Sequence, residues 1–259
     1  MKKAVQIIPH LITSGNLVCG CLAIVNVLGG DLILGAYLVG IAALLDFFDG
    51  FAARLLKVSG EFGKQLDSLA DCITFGVVPG MVMMVMIDKS FLLSDLLSPE
   101  LMNADNSMNN FIFPRNNLSY LALLIPVFSA IRLAKFNIDA RQNDSFIGLP
   151  TPANSIFIIS LGYISADPAT SIQIKSLILQ PWILIFITCI FSFLLIAELP
   201  LFALKFKNFK WRENKIRYLF LALSFLGILF FKIFGLSVSI LLYLALSVIN
   251  NLSIKEKKI

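Results

Sequence analysis

Four aspartates, Asp46, Asp49, Asp67 and Asp71, lie inside or beside strongly apolar sequence between Leu44 and Gly76. Asp46 and Asp49 are three residues apart and Asp67 and Asp71 four apart, so each pair shares one face of a helix. The short connection holding Gly60 and Gly63 can close the two helices into an antiparallel hairpin and aim both pairs at one point. Four carboxylates so placed repel one another and take up protons unless positive charge joins them. Arg54 and Lys64 offer part of that charge; hard divalent cations with oxygen ligands are the natural remainder, and four carboxylates suit two of them, Mg²⁺ or Mn²⁺. Gly50, Ala53 and Gly63 leave room for a bulky ligand beside the carboxylates. Two metals at such a place suit a phosphate or pyrophosphate, whose oxygens paired ions can bridge during displacement at phosphorus. Plain salt bridges to Arg54, Lys57 and Lys64 account for a single aspartate more readily than for four in this register.

The elements that must position these residues are membrane helices. Of 259 residues 58% are hydrophobic and 14% charged, a composition outside the soluble range. Runs of about 20 apolar residues, the length that crosses the hydrocarbon, predict eight spans: Leu11 to Leu28, Leu32 to Phe51, Asp67 to Ile87, Leu118 to Phe136, Ala153 to Ile164, Trp182 to Pro200, Ile216 to Phe231 and Leu236 to Asn250. The fifth is the shortest. With the N-terminus inside, only Lys89, Arg115, Lys175 and Lys232 of the 21 basic residues fall on exterior segments, as the positive-inside rule demands. Both termini and the aspartates are thereby expected on the cytoplasmic side. The net charge of +5 forms no continuous patch, which argues for membrane sidedness and against nucleic acid.

Other features are expected to be structural. Cys19, Cys21, Cys72 and Cys189 have neither paired spacing nor histidine companions. Lys2 and Lys3 precede a run that lacks a small-x-small cleavage site, so it reads as a retained helix. His10 is expected at the interface, and the Asn-rich "SPELMNADNSMNNFIFPRNN" reads as a flexible exterior connection.

The pattern D-x2-D-G-x2-A-R-x8-G-x3-D-x3-D, filled by Asp46, Asp49, Gly50, Ala53, Arg54, Gly63, Asp67 and Asp71, resembles the signature of the CDP-alcohol phosphatidyltransferases. The resemblance implies an all-α polytopic membrane protein with a six-helix catalytic core, two further C-terminal helices, and a homodimeric assembly. The corresponding division is a catalytic membrane domain over residues 1–200, then a basic loop, two helices and a cytoplasmic tail over 201–259. It also implies that Asp46, Asp49, Asp67 and Asp71 bind two metals, with Asp71 as general base, and that Gly50, Ala53, Arg54 and Gly63 line the nucleotide and pyrophosphate pocket. Asn16 takes a nucleotide-side role on the same basis, whereas Pro9-His10 stands where the family commonly has Pro-Asn, so no role passes to His10.

The acceptor has to come from other stretches. "IPHLITSGNLVCG", "DSLADCITFGVVPG", "IRLAKFNID" and "FIGLPTPAN" resemble the branch of the family that joins CDP-diacylglycerol to L-serine in phospholipid biosynthesis. Arg132 and Lys135, three apart near the cytoplasmic end of the fourth span, can hold a lipid phosphate or the serine carboxylate, or serve only as membrane anchors. Thr151 and Asn154 can point into the same pocket. On charge alone glycerol 3-phosphate, an inositol derivative or choline remains an acceptor, and an archaeal-type lipid a donor. A cation transporter would instead need a polar route across the membrane, and the spans lack polar residues toward the exterior to match the aspartates. The chain is expected in a prokaryotic plasma membrane.

Overall fold

The computed structural model describes residues 2–58, 60–96, 116–138, 146–201 and 211–256. Helix α1 (Lys2–Leu28) turns at Gly29-Gly30 into α2 (Leu32–Leu55), whose start is fixed by Asp31: its carboxylate accepts the Leu34 N–H at 2.8 Å. Next come α3 (Glu61–Asp71), a π-helical turn (Cys72–Val77) and α4 (Val78–Leu96), which form one continuous rod. A 3-10 segment (Asn117–Leu123) leads into α5 (Leu124–Ile138). Then follow α6 (Thr151–Ala166), the short α7 (Ile172–Ile178), α8 (Pro181–Ile196), α9 (Trp211–Phe231) and α10 (Ile233–Glu256). Prolines in the first turns of α6 and α8, where the missing N–H has no helical partner to lose, mark both starts. The β-pairing among the described residues is two residues long, with β1 (Phe146–Ile147) antiparallel to β2 (Pro200–Leu201).

Each of the eight expected spans coincides with a helix. Among the described residues six stretches are long and apolar enough to cross a bilayer: Ile7–Leu28, Leu32–Leu55, Glu61–Leu93, Asn117–Ile138, Asn214–Phe231 and Ile233–Asn251. The pair α7 and α8, bent by 56°, makes a seventh if taken as one span. The 16-residue α6 falls short of that length, at the span the sequence marks as shortest. The third span begins at Glu61 rather than Asp67, because "EFGKQL" is amphipathic and its polar face hides the helix from a hydropathy reading. Arg115, Arg141, Lys205, Lys207, Lys210, Lys257 and Lys258, with most of the Asn-rich loop, lie outside the described residues.

The core runs along α4, with Met83, Met86 and Ile87 fully buried beside Phe75, Ile125 and Ile158. Phe47, Phe48 and Phe51 of α2 face outward, as lipid-facing side chains do. Two contacts set the site's frame. Gly20 lets α1 touch the π turn: a Cβ there would run into the Thr74 hydroxyl and come within 3.2 Å of the Thr74 Cα. Gly148, at φ +77, carries the chain into α6 where a Cβ would lie 2.8 Å from the Leu195 carbonyl oxygen. We expect Gly20→Ala to lower stability by about 1–3 kcal/mol, because the added methyl meets the Thr74 hydroxyl and, behind it, the Thr74 backbone. Thermal unfolding in detergent measures it, and Thr74→Ala in the same chain should restore only part of the loss.

Candidate functional site

The last two turns of α2 and the whole of α3 meet against α1 at one end of the bundle. Ligand oxygens of Asp46 and Asp49 from α2 and Asp67 from α3 all lie within 4.8 Å of one another. Asp71, one turn past Asp67, lies against Asp46 and accepts a hydrogen bond from the Asn16 amide at 3.3 Å. Asp49 is 5% exposed, faces Thr13 of α1, and keeps its Oδ2 buried with no hydrogen-bond partner. A buried carboxylate oxygen without a partner is costly enough to require a cation or a ligand. An all-oxygen donor set of this charge fits Mg²⁺ or Mn²⁺, and Asp46, Asp49 and Asp67 are the residues positioned to share such an ion.

Beside the cluster lies a cavity of about 270 Å³ lined by Asp49, Asp67, Gly50, Ala53, Gly63 and Lys64, with His10 and Thr13 closing it from α1. Gly50, Ala53 and Gly63 thus come together, whereas Arg54 stands exposed at the rim and Asn16, expected on the nucleotide side, is buried on Asp71 and does not line this cavity. The Arg54 guanidinium reaches back to 3.9 Å from the point where a Gly50 Cβ would sit. Gly63 leaves room for the His10 ring, which would lie 2.9 Å from a Cβ there and packs edge-on to Phe62 at 5.2 Å. His10 and Thr13, given no role from sequence, share with Asn16 a helical stripe at three-residue spacing, which was the available signal. Lys64 is turned elsewhere, donating to the Asn137 carbonyl at 3.0 Å, while the Asn137 amide donates to Ser68 at 2.8 Å. These two bonds tie α3 to the end of α5.

The π turn follows Asp71 directly. One extra residue in a turn shifts the helix phase by about 100°. The face carrying Asp67 and Asp71 is therefore set independently of the face by which α4 packs into the core.

Arg132 and Lys135 separate. Arg132 is 7% exposed, donates to the Thr151 hydroxyl at 3.3 Å and leaves its Nε buried without a partner. Lys135 is exposed on the last turn of α5. Arg132 lies within electrostatic reach of Asp71 and also of Tyr243, a buried residue of α10 that sequence reasoning did not single out. Asn154, one turn past Thr151, is fully buried with both amide atoms unpartnered. The first turn of α6 and the end of α5 thus hold buried, unsatisfied donors and an acceptor, of which Arg132 lies within electrostatic reach of Asp71.

A carboxylate cluster with this lining matches known proteins over most of the chain. The family model described as CDP-alcohol phosphatidyltransferase matches residues 6–194. The chain is 30% identical over 203 residues to the CDP-diacylglycerol–serine O-phosphatidyltransferase of Bacillus subtilis, covering 78% of this chain and 91% of that one. It is 31% identical over 153 residues to the protein of that name from Helicobacter pylori, covering 58% of this chain and 55% of that one. Against the Methanocaldococcus jannaschii protein of the same name it is 28% identical over 160 residues, 61% of each. The order of glycine, arginine and aspartate in the sequence, their meeting at one end of a helical membrane bundle, and the matched span together place the chain in the CDP-alcohol phosphatidyltransferase family.

Proposed function

We propose that the chain transfers the phosphatidyl group of CDP-diacylglycerol to the hydroxyl of L-serine, giving phosphatidylserine and CMP. The observation that carries this reading is Arg132, buried, within electrostatic reach of Asp71 and bonded to Thr151, with the unpartnered Asn154 one turn farther along α6. A zwitterionic amino acid supplies what those atoms lack. Its carboxylate suits the guanidinium, and its remaining polar atoms suit an amide that offers both donor and acceptor. The names of the similar proteins support the same acceptor.

In this reading Gly50, Ala53 and Gly63 admit the nucleotide and pyrophosphate, and Arg54 closes over them from the rim. Asn16 and Thr13 hold Asp71 and Asp49 in place. Asp46, Asp49, Asp67 and Asp71 would hold two divalent ions, which when bound would neutralise charge on the pyrophosphate and on the departing phosphate. Asp71 takes the proton of the serine hydroxyl, whose oxygen attacks the lipid-side phosphorus as the bond to the CMP oxygen breaks, its electron pair leaving with CMP. Direct displacement is favoured because no described nucleophile is paired with a histidine base. The pattern of Lys and Arg supports a cytoplasmic site in a prokaryotic plasma membrane. A homodimer, and a catalytic region of residues 1–200 followed by an appended 201–259, complete the reading.

Protein in vesicles with CDP-diacylglycerol and Mg²⁺ or Mn²⁺, assayed for CMP release with serine, glycerol 3-phosphate and inositol phosphate in parallel, tests the acceptor. Release should require serine; release indifferent to serine overturns the assignment. We further expect Asn154→Leu and Arg132→Gln each to raise the KM for serine about 10- to 100-fold, the worth of one hydrogen bond to a charged group. The KM for the donor should change little, and a rise in donor KM alone would move these residues to the lipid side.

A further inference from the structure

At the end of the bundle opposite the aspartates, a cavity of about 590 Å³ opens between the end of α6 and the α9–α10 turn. One acid and one base line it, Asp167 and Lys232, together with the hydroxyl-bearing Thr170 and Ser171. Backbone holds the Asp167 carboxylate and fixes where the Lys232 side chain leaves the turn. Asp167 caps α6 and accepts the Ala169 N–H at 3.0 Å. Lys232 sits at φ 50 in a turn closed by bonds from its N–H to the Ile228 carbonyl, 2.8 Å, and from the Gly235 N–H to its own carbonyl, 3.0 Å. They share the cavity without forming an ion pair with each other.

Tyr163 and Ile233 also wall a second space, an apolar slot of about 120 Å³ between α2, α6 and α10. Gly40 opens this slot, since a Cβ there meets nothing within 4 Å. At its mouth Tyr37 and Tyr163 stand edge-on at 5.9 Å, the amphipathic ring type that settles at headgroup level. A polar mouth bearing one charge of each sign, sharing its Tyr163 and Ile233 walls with an apolar slot between helices, has the chemistry of a phospholipid and not of a soluble solute. Because the two charges cancel, a net-negative headgroup meets repulsion from Asp167 that a zwitterionic one does not.

We propose that this face binds a structural phospholipid with an amine-bearing zwitterionic headgroup, its phosphate at Lys232, its ammonium at Asp167 and the upper part of one acyl chain in the Gly40 slot. The site is independent of the reaction at the aspartates.

Native mass spectrometry of the purified full chain, with saturating CDP-diacylglycerol to fill the donor pocket, tests it by titration with dioleoyl phosphatidylethanolamine or dioleoyl phosphatidylglycerol. Phosphatidylethanolamine should be retained about tenfold better, and Asp167→Asn, whose side-chain oxygen can still accept the Ala169 N–H, should remove that preference. Gly40→Leu, which fills the slot without touching the headgroup, should weaken retention of the diacyl lipid by a similar factor. Both variants should melt as the parent does, which keeps loss of binding distinct from loss of fold. Equal retention of the two lipids, indifference to either variant, or competition by glycerophosphoethanolamine as strong as by the diacyl lipid overturns the proposal. The readout is binding, so it stands whatever acceptor the active site uses.

Discussion

Asp71→Asn is expected to lower the rate of CMP release by about 10²- to 10⁴-fold, the usual contribution of a positioned general base. The change is nearly isosteric, and the amide oxygen can still accept the Asn16 hydrogen bond now made at 3.3 Å. What it removes is the capacity to take up a proton and one negative charge beside Asp46. Since Asp46, Asp49 and Asp67 keep their mutually close ligand oxygens and Asp71 only borders that set at Asp46, donor binding should survive. The kinetic signature is therefore a fall in kcat with little change in the KM for CDP-diacylglycerol, read by CMP release and by equilibrium retention of labelled donor. A fully active variant would remove Asp71 from the chemistry; loss of donor binding at unchanged kcat would make it a ligand alone.

Asp49→Asn should act differently. Its Oδ2 is the buried, unpartnered oxygen of the cluster, so this substitution removes a charge where nothing but a cation can balance it. We expect at least a 100-fold loss of activity at fixed Mg²⁺, partly recovered at high Mn²⁺, and complete loss in the parent protein on chelation with recovery on adding metal back. Stability gives an independent reading with opposite signs in the two states. Metal bound at 100 times its Kd stabilises the parent by about 2.7 kcal/mol. Without metal, Asp49→Asn relieves repulsion and should melt higher than the parent; with metal, it should gain less. If Mg²⁺ and Mn²⁺ leave the melting of the parent unchanged, the cluster is not a metal site.

The chemistry was legible because carboxylates at three- and four-residue spacing can share a helix face whatever the tertiary structure does. The hairpin then needed only the two glycines between them. Less legible was everything set by phase. The π turn at Cys72–Val77 carries no residue type that announces it, and it decides which way α4 faces relative to Asp71. Arg132 and Lys135 illustrate the same limit: three positions on a helix differ by about 60°, enough at the edge of a bundle to bury one cation and expose the other. Tyr243 was invisible for a different reason, since its place beside Arg132 follows from how α10 packs on α6, a contact between segments some 80 residues apart in which Ser160 and Ser237 meet at 2.6 Å. Amphipathic α3 was read late because averaging over a window hides a polar stripe.

The shortness of α6 has a consequence for how two substrates from different phases meet. Sixteen residues span about 24 Å, while the hydrocarbon is about 30 Å thick. A helix in contact with lipid would meet that mismatch by thinning the bilayer around it. Ten of the sixteen residues of α6 are buried, so its neighbours shield it and the bilayer need not deform. With Tyr163 at headgroup level, where such rings settle, the missing length of about 6 Å would fall at the other end of α6, which carries Thr151 and Asn154. Thr151 and Asn154 are buried there, so the short end of α6 sets polar side chains inside protein and out of contact with lipid. In the proposed reaction, an acceptor bound at that end of α6 would meet its donor without the donor leaving the leaflet.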